Sequence, residues 1–63
     1  MDYGTKIKKL RQAEGLTQQE LADRAHITKS MVSYIESGKR NPNTKTLEKI
    51  AAVLGMTLAE FFS

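Results

Sequence analysis

The run Thr17-Gln18-Gln19-Glu20-Leu21-Ala22-Asp23-Arg24-Ala25-His26-Ile27-Thr28-Lys29-Ser30-Met31-Val32-Ser33-Tyr34-Ile35-Glu36-Ser37-Gly38 holds two helix starts in close succession. Thr17 and Glu20 have the spacing of a capping box, in which the threonine hydroxyl accepts from the Glu20 amide and the carboxylate reaches back. Leu16 before this cap and Leu21 after it form a hydrophobic staple. Leu21, Ala22 and Ala25 give the helix a narrow apolar face, and it stops near Ala25 because a new cap, Thr28, follows at once. The helix that Thr28 opens is stapled by Ile27 and Val32, turns Val32 and Ile35 inward, and closes at Gly38. Only His26 and Ile27 lie between the two helices, too few for an antiparallel hairpin, so the helices must cross steeply. Ala22 is small enough to permit a close approach, and Ile27 plugs the space between them. His26 is expected to be a turn residue, a type tolerated better than most if the position needs positive φ, and neither ligand nor catalyst.

Upstream, Tyr3, Ile7, Leu10 and Glu14 fall on one face of a helix from about Asp2 to Glu14, ended by Gly15. Downstream, Asn43 after Pro42 caps a helix whose Leu47, Ile50, Ala51 and Leu54 repeat at helical spacing up to Gly55. Thr57 and Glu60 form a second capping box, opening a short helix with Leu58, Phe61 and Phe62. No stretch alternates apolar and polar residues as a strand would. The expected fold is all-α, a compact five-helix bundle in which residues 1–63 form one domain. Its centre is a helix-turn-helix over about residues 17–37, and helices over 43–54 and 58–62 complete the core.

Composition narrows the function. The 63 residues leave no room for a separate sensing or catalytic domain, so no small-molecule effector is expected within this chain. There is no cysteine and a single histidine, which removes disulfides and argues against zinc or any other metal cofactor. No apolar run approaches the roughly 18 residues of a membrane span, and the charged start is unlike a signal peptide, so the cytoplasm is the expected compartment. No nucleophile is paired with a base, and no glycine-rich phosphate loop precedes a helix, so no enzymatic activity is expected. The net charge of +3 is modest, but its distribution is uneven. Arg24, Lys29, Lys39, Arg40 and Lys45 share the middle of the chain with one acid, Glu36, which suggests a polyanionic partner.

Thr17 to Ala22, followed by Ile27 to Gly38, resembles the Xre/Cro family of helix-turn-helix DNA-binding domains, which includes the lambda-type phage repressors. The stretch from Arg40 to Leu47 and the helix from Leu47 to Gly55 are similar to the next loop and helix of that family, and the likeness extends from about Ile7 to Phe62. The resemblance implies a lambda-repressor-like fold and sequence-specific operator binding, commonly as a two-fold homodimer. The helix from Thr28 to Ser37 would then enter the major groove of a near-palindromic operator. It places Lys29, Ser30 and Tyr34 at the positions that reach base edges, with Met31 and Ser33 nearby. Gln18 falls where the family binds the DNA backbone and braces the recognition helix. Arg11 and Glu36 match a family ion pair, expected to be partly buried.

The side chains suit that task on their own chemistry. Lysine donates to guanine O6 and N7, serine to several base edges or to phosphate, and Met31 and the Tyr34 ring offer apolar contact to a thymine methyl. Backbone contacts are expected from Thr17, Gln18, Thr28, Ser33, Lys39, Arg40 and Asn41, with Lys45 extending the rim. Leu58, Phe61 and Phe62 form the expected dimer interface; Phe61, the staple partner of Met56, faces inward and leaves Phe62 or Leu58 for another surface. The function implied is transcription regulation. Repression is the expected outcome because it needs only promoter occupancy, while activator and restriction–modification controller share the same domain. The alternative within this fold is a protein-interaction module, an antitoxin or docking domain. Acids at the DNA-facing positions would support it, and Lys29, Ser30 and Tyr34 stand there instead.

Overall fold

Side-chain caps set where the helices begin. The computed structural model describes residues 3–63. Its helices are α1 (Tyr3–Ala13), α2 (Gln18–Ala25), α3 (Lys29–Glu36), α4 (Thr44–Val53) and α5 (Leu58–Phe62), with no strand among the described residues. The expected start of α1 at Asp2 lies outside them. Thr17, Thr28, Asn43 and Thr57 stand in extended conformation before α2 to α5. Each side-chain oxygen accepts from the amide three residues on, at 2.8–3.1 Å. Both capping boxes close, the Glu20 and Glu60 carboxylates accepting from the Thr17 and Thr57 amides at 2.9 and 2.8 Å. The Thr17 amide, and after it the Thr17 side chain, holds the exposed Glu20 carboxyl below the usual carboxylate range.

The ends of α1 to α4 share one hydrogen-bond pattern. At the end of α2, Ile27 donates to the Ala22 carbonyl (2.9 Å) and His26 to that of Asp23 (3.4 Å). The same crossed pair recurs at Leu16–Arg11 with Gly15–Gln12, at Lys39–Tyr34 with Gly38–Ile35, and at Met56–Ala51 with Gly55–Ala52. These are Schellman motifs, whose penultimate residue is left-handed. Glycine fills that place three times and His26, at φ 58° and ψ 40°, once. His26 is therefore a turn residue in the left-handed conformation, at the cost of about 1–2 kcal/mol that a side chain incurs there.

One apolar cluster fills the interior: Ile7, Leu21, Ala22, Ala25, Val32, Ile35, Leu47, Ile50, Ala51, Leu54 and Phe61. Helix α2 packs against both α3 and α4, α1 lies on α3, and α5 lies on α4. On α1 the inward stripe is Gly4, Ile7 and Arg11, with Tyr3 and Leu10 half-buried beside it. Glu14, expected on that face, is exposed, because α1 ends at Ala13 and Arg11 takes the inward place one turn after Ile7. Gly4 has a reason to be glycine: a Cβ there would lie 2.2 Å from the Ile35 carbonyl oxygen and 2.9 Å from that of Glu36.

The short α5 is fastened from α1. Lys6 donates to the carbonyls of Phe61 and Ser63, and its Nζ sits 5.0 Å from the centre of the Phe61 ring. Tyr3 packs on Phe61 and Phe62 with ring centroids 6.1 and 5.6 Å away. Phe61 is wholly buried, so of the three residues expected at a dimer interface it belongs to the monomer core. Leu58 is half-buried, and Phe62 keeps 44% of its surface exposed.

Two substitutions separate these backbone effects. His26→Gly removes the left-handed penalty but adds about 0.5–1 kcal/mol of unfolded-chain entropy, so we expect a net gain near 0.5–1 kcal/mol. For a domain of this size that raises Tm by about 2–8 °C. Gly4→Ala gains about 1 kcal/mol of helix propensity but forces backbone apart at a cost of about 1–3 kcal/mol, and a Cβ at 2.2 Å puts it at the top of that range. We expect Tm to fall. Thermal denaturation followed by circular dichroism reads both, and a rise for Gly4→Ala would refute the close approach of α1 to α3.

Candidate nucleic-acid interface

Helix α3 turns Val32 and Ile35 into the core, which leaves the opposite face to solvent. Lys29, Ser30, Ser33 and Tyr34 on that face, together with Gln18 from the first turn of α2, line one open depression of about 510 Å³. Two helices and a two-residue turn therefore bring together five of the residues singled out from the sequence. Lys29, Ser30 and Ser33 are exposed, and Tyr34 shows 46% of its surface. Met31 is placed differently: it is half-buried and packs on the core beside Val32, outside the lining of the depression.

The flanks are polar and positioned by backbone bonds. Thr17 and Thr28 are exposed; their hydroxyls accept from the Glu20 and Met31 amides, and each retains a proton to donate. The loop after α3 converges on the carbonyl of Tyr34, which accepts from the amides of Lys39 (2.9 Å) and Arg40 (3.2 Å) and from the Ser37 hydroxyl (3.1 Å). Lys39, Arg40 and Asn41 are exposed on this tethered loop, and Lys45 is exposed in the first turn of α4. No acid lines the depression, and Lys29 stands in it at the start of α3, where the free amides of the helix favour an anion.

Behind the face lies the predicted ion pair. Arg11 Nε donates to Glu36 Oε2 at 2.7 Å and its Nη2 to Glu36 Oε1 at 3.0 Å, a two-pronged contact with the side chains only 10% and 3% exposed. The bonded Glu36 carboxylate raises the Arg11 pKa further above its already high value, against the opposing effect of burial. Arg11 Nη1 also donates to the Leu16 carbonyl at 2.7 Å. Gln18 Nε2 adds a third donor to Glu36 at 3.1 Å. The Gln18–Glu36 bond has no signature in the sequence, because it depends on how α2 and α3 cross, while the local Arg11–Leu16 bond follows from Arg11 being turned inward. Gly4 did leave a signal, a glycine inside a helical pattern. Among the described residues no group of three or more His, Cys, Asp or Glu could hold a metal ion, and no helix is long and apolar enough to cross a membrane.

Residues 7–61 match the helix-turn-helix family model. The control protein C.MunI of a Mycoplasma species is 45% identical over 62 residues, covering 97% of this chain and 84% of that protein. Among solved structures, the restriction-modification controller protein C.AhdI from Aeromonas hydrophila superposes with a TM-score of 0.91 at 33% identity, covering 97% of this chain and 92% of that one. The biofilm master regulator SinR, solved in complex with DNA, superposes with a TM-score of 0.88 at 35% identity, covering 97% and 98%. Of several larger curated relatives the chain spans only about a third, 31–32% of their length. The chain belongs to the helix-turn-helix family of DNA-binding transcriptional regulators. That family is made up of regulators, not enzymes.

The ion pair gives a test of the frame behind this surface. Arg11→Met leaves the Glu36 carboxylate buried with only Gln18 as donor, and we expect about 3–5 kcal/mol of destabilisation in urea unfolding. The double substitution Arg11→Met with Glu36→Leu should recover most of it, since removing both charges leaves neither unpaired. A single-variant loss under about 1 kcal/mol would make the contact an ordinary surface pair.

Proposed function

We propose that the chain is a sequence-specific repressor that acts as one DNA-binding unit in the cytoplasm, laying α3 in the major groove of a near-palindromic operator. The observation that carries this reading is the acid-free depression joining Gln18 of α2 to Lys29, Ser30, Ser33 and Tyr34 of α3. Lys29, Ser30 and Tyr34 read base edges, and Met31 contributes at most the exposed part of its side chain. Gln18, Thr17, Thr28, Ser33, Lys39, Arg40 and Asn41 hold phosphates, which fixes the register of α3. The DNA complex of SinR, similar over nearly this whole chain, supports that docking. We assign the chain no catalytic role, cofactor or small-molecule effector.

Selection of bound sequences from random duplex DNA gives the operator, and salt titration then sorts the contacts. Log K should fall linearly with log salt, by about 0.9 for each phosphate neutralised by lysine or arginine. Lys39→Ala and Arg40→Ala should each weaken all sequences alike and flatten that slope. Lys29→Ala should instead relax preference at one base pair per half-site, at about 1–3 kcal/mol. Absence of salt-dependent binding to any duplex would turn the depression into a protein-docking face.

Pairing of two copies would set two α3 helices about 34–36 Å apart, one turn of DNA. We propose that α5 forms that contact: Phe62 keeps 44% of its surface exposed, and Leu58 lines an open depression of about 310 Å³ with Met56 and Ala52. Phe62→Glu should keep the helical spectrum, lower Tm by only a few degrees for the lost Tyr3 and Phe61 contacts, and abolish cooperative binding to a two-half-site operator. A parent that sediments as a monomer at high concentration, with a variant that binds equally well, would exclude this interface.

A further inference from the structure

Glu36 is an acid directly behind a surface that we read as binding phosphates, and the structure gives it more to do than neutralise Arg11. Its Oε1 accepts at once from Arg11 Nη2 (3.0 Å) and from Gln18 Nε2 (3.1 Å). Gln18 is half-buried, starts α2 and lines the depression beside Lys29 and Tyr34. An amide nitrogen carries two N–H groups, and a phosphate oxygen can only accept. With one N–H of Gln18 on Glu36, the other is left for the groove. A solvent-exposed glutamine would have to give up its rotamer freedom on meeting DNA, whereas this one has already been ordered by folding. Arg11 makes the arrangement stable: both its Nε and Nη2 grip Glu36, so the carboxylate cannot swing towards solvent or away from Gln18.

We infer that Glu36 is a positioning residue for phosphate recognition, holding the Gln18 amide at the groove with an N–H directed to a DNA phosphate oxygen. This rests on the DNA-binding reading of the groove. In Glu36→Met the side chain keeps its length but offers no oxygen acceptor, so the Gln18 amide loses the partner that orders it. Positioning and simple electrostatics now differ in sign. Removing an anion beside DNA strengthens binding by charge alone, whereas losing a prepared hydrogen bond weakens it, by about five- to tenfold per half-site.

The experiment is a double-mutant cycle of Glu36→Met and Gln18→Ala, reading affinity for the selected duplex, with thermal melting to set the assay temperature below every Tm. We expect Glu36→Met to weaken binding about five- to tenfold with Gln18 present. In the Gln18→Ala background it should not weaken binding at all, and the salt slope should stay unchanged, since a neutral amide releases no counterion. Tighter binding of Glu36→Met, or equal weakening in both backgrounds, overturns the inference. A measurement on the parent alone stands if a variant fails to fold. The Gln18 side-chain amide, identified by its loss in Gln18→Ala, should relax in ¹⁵N experiments with an order parameter near the 0.85 or so of rigid backbone. A value under about 0.6 overturns the proposal. A parent with a rigid amide that binds no duplex refutes the DNA reading and the phosphate role with it; a parent that binds DNA without coupling between the two residues refutes the positioning role alone.

Discussion

The carboxylate of Glu36 collects three donors from two separate parts of the chain, two from Arg11 and one from Gln18, while Arg11 reaches on to the Leu16 carbonyl. Those contacts link α1, the loop after it, the start of α2 and the end of α3. The apolar core alone could fill its volume with the helices rotated by some degrees, because burial is not directional. A buried charge with two-pronged geometry tolerates far less movement. The relation between α2 and α3, on which the groove depends, is thus held from behind by polar bonds and from the front by a turn of two residues.

That turn shows how function and stability share a small frame. Ala22 is fully buried and accepts from the Ile27 amide, so α2 and α3 are close where they meet. His26 takes the strained place that glycine fills at the other three helix ends. The depression itself holds residues that the core does not use: Lys29, Ser30 and Ser33 have no part in it, and Tyr34 contributes through its backbone carbonyl, which anchors the basic loop. The base-facing set can therefore vary with little effect on the fold, while Gly4, Arg11 and Glu36 cannot.

What could be read from the sequence was what acts over three or four residues. Thr17, Thr28, Asn43 and Thr57 announced their helices because a cap and its amide are neighbours in the chain, and those boundaries stand within a residue or two. The outward face of α3 was legible because Val32 and Ile35 fix the inward one. Glu14 was misplaced because periodicity favours any residue at the right spacing and does not register that a long arginine can be buried if an acid waits inside. The bond from Gln18 to Glu36 and the hold of Lys6 on α5 join residues 18 and 55 positions apart, or more, in the chain, and only the packed structure brings them together.

The clasp between α1 and α5 bears on how pairing would reach the reading helix. Five residues make a little over one helical turn, too short to persist in water, so α5 exists because Tyr3, Lys6 and the α4 surface hold it. The first turn of α1 and the whole of α5 thus depend on each other for their order, and Gly4 in that turn also packs on the Ile35 and Glu36 carbonyls of α3. The surface we assign to pairing lies on α5. A partner bound there would therefore be felt at the end of α3 through Gly4, so that pairing and the setting of the reading helix share one length of α1.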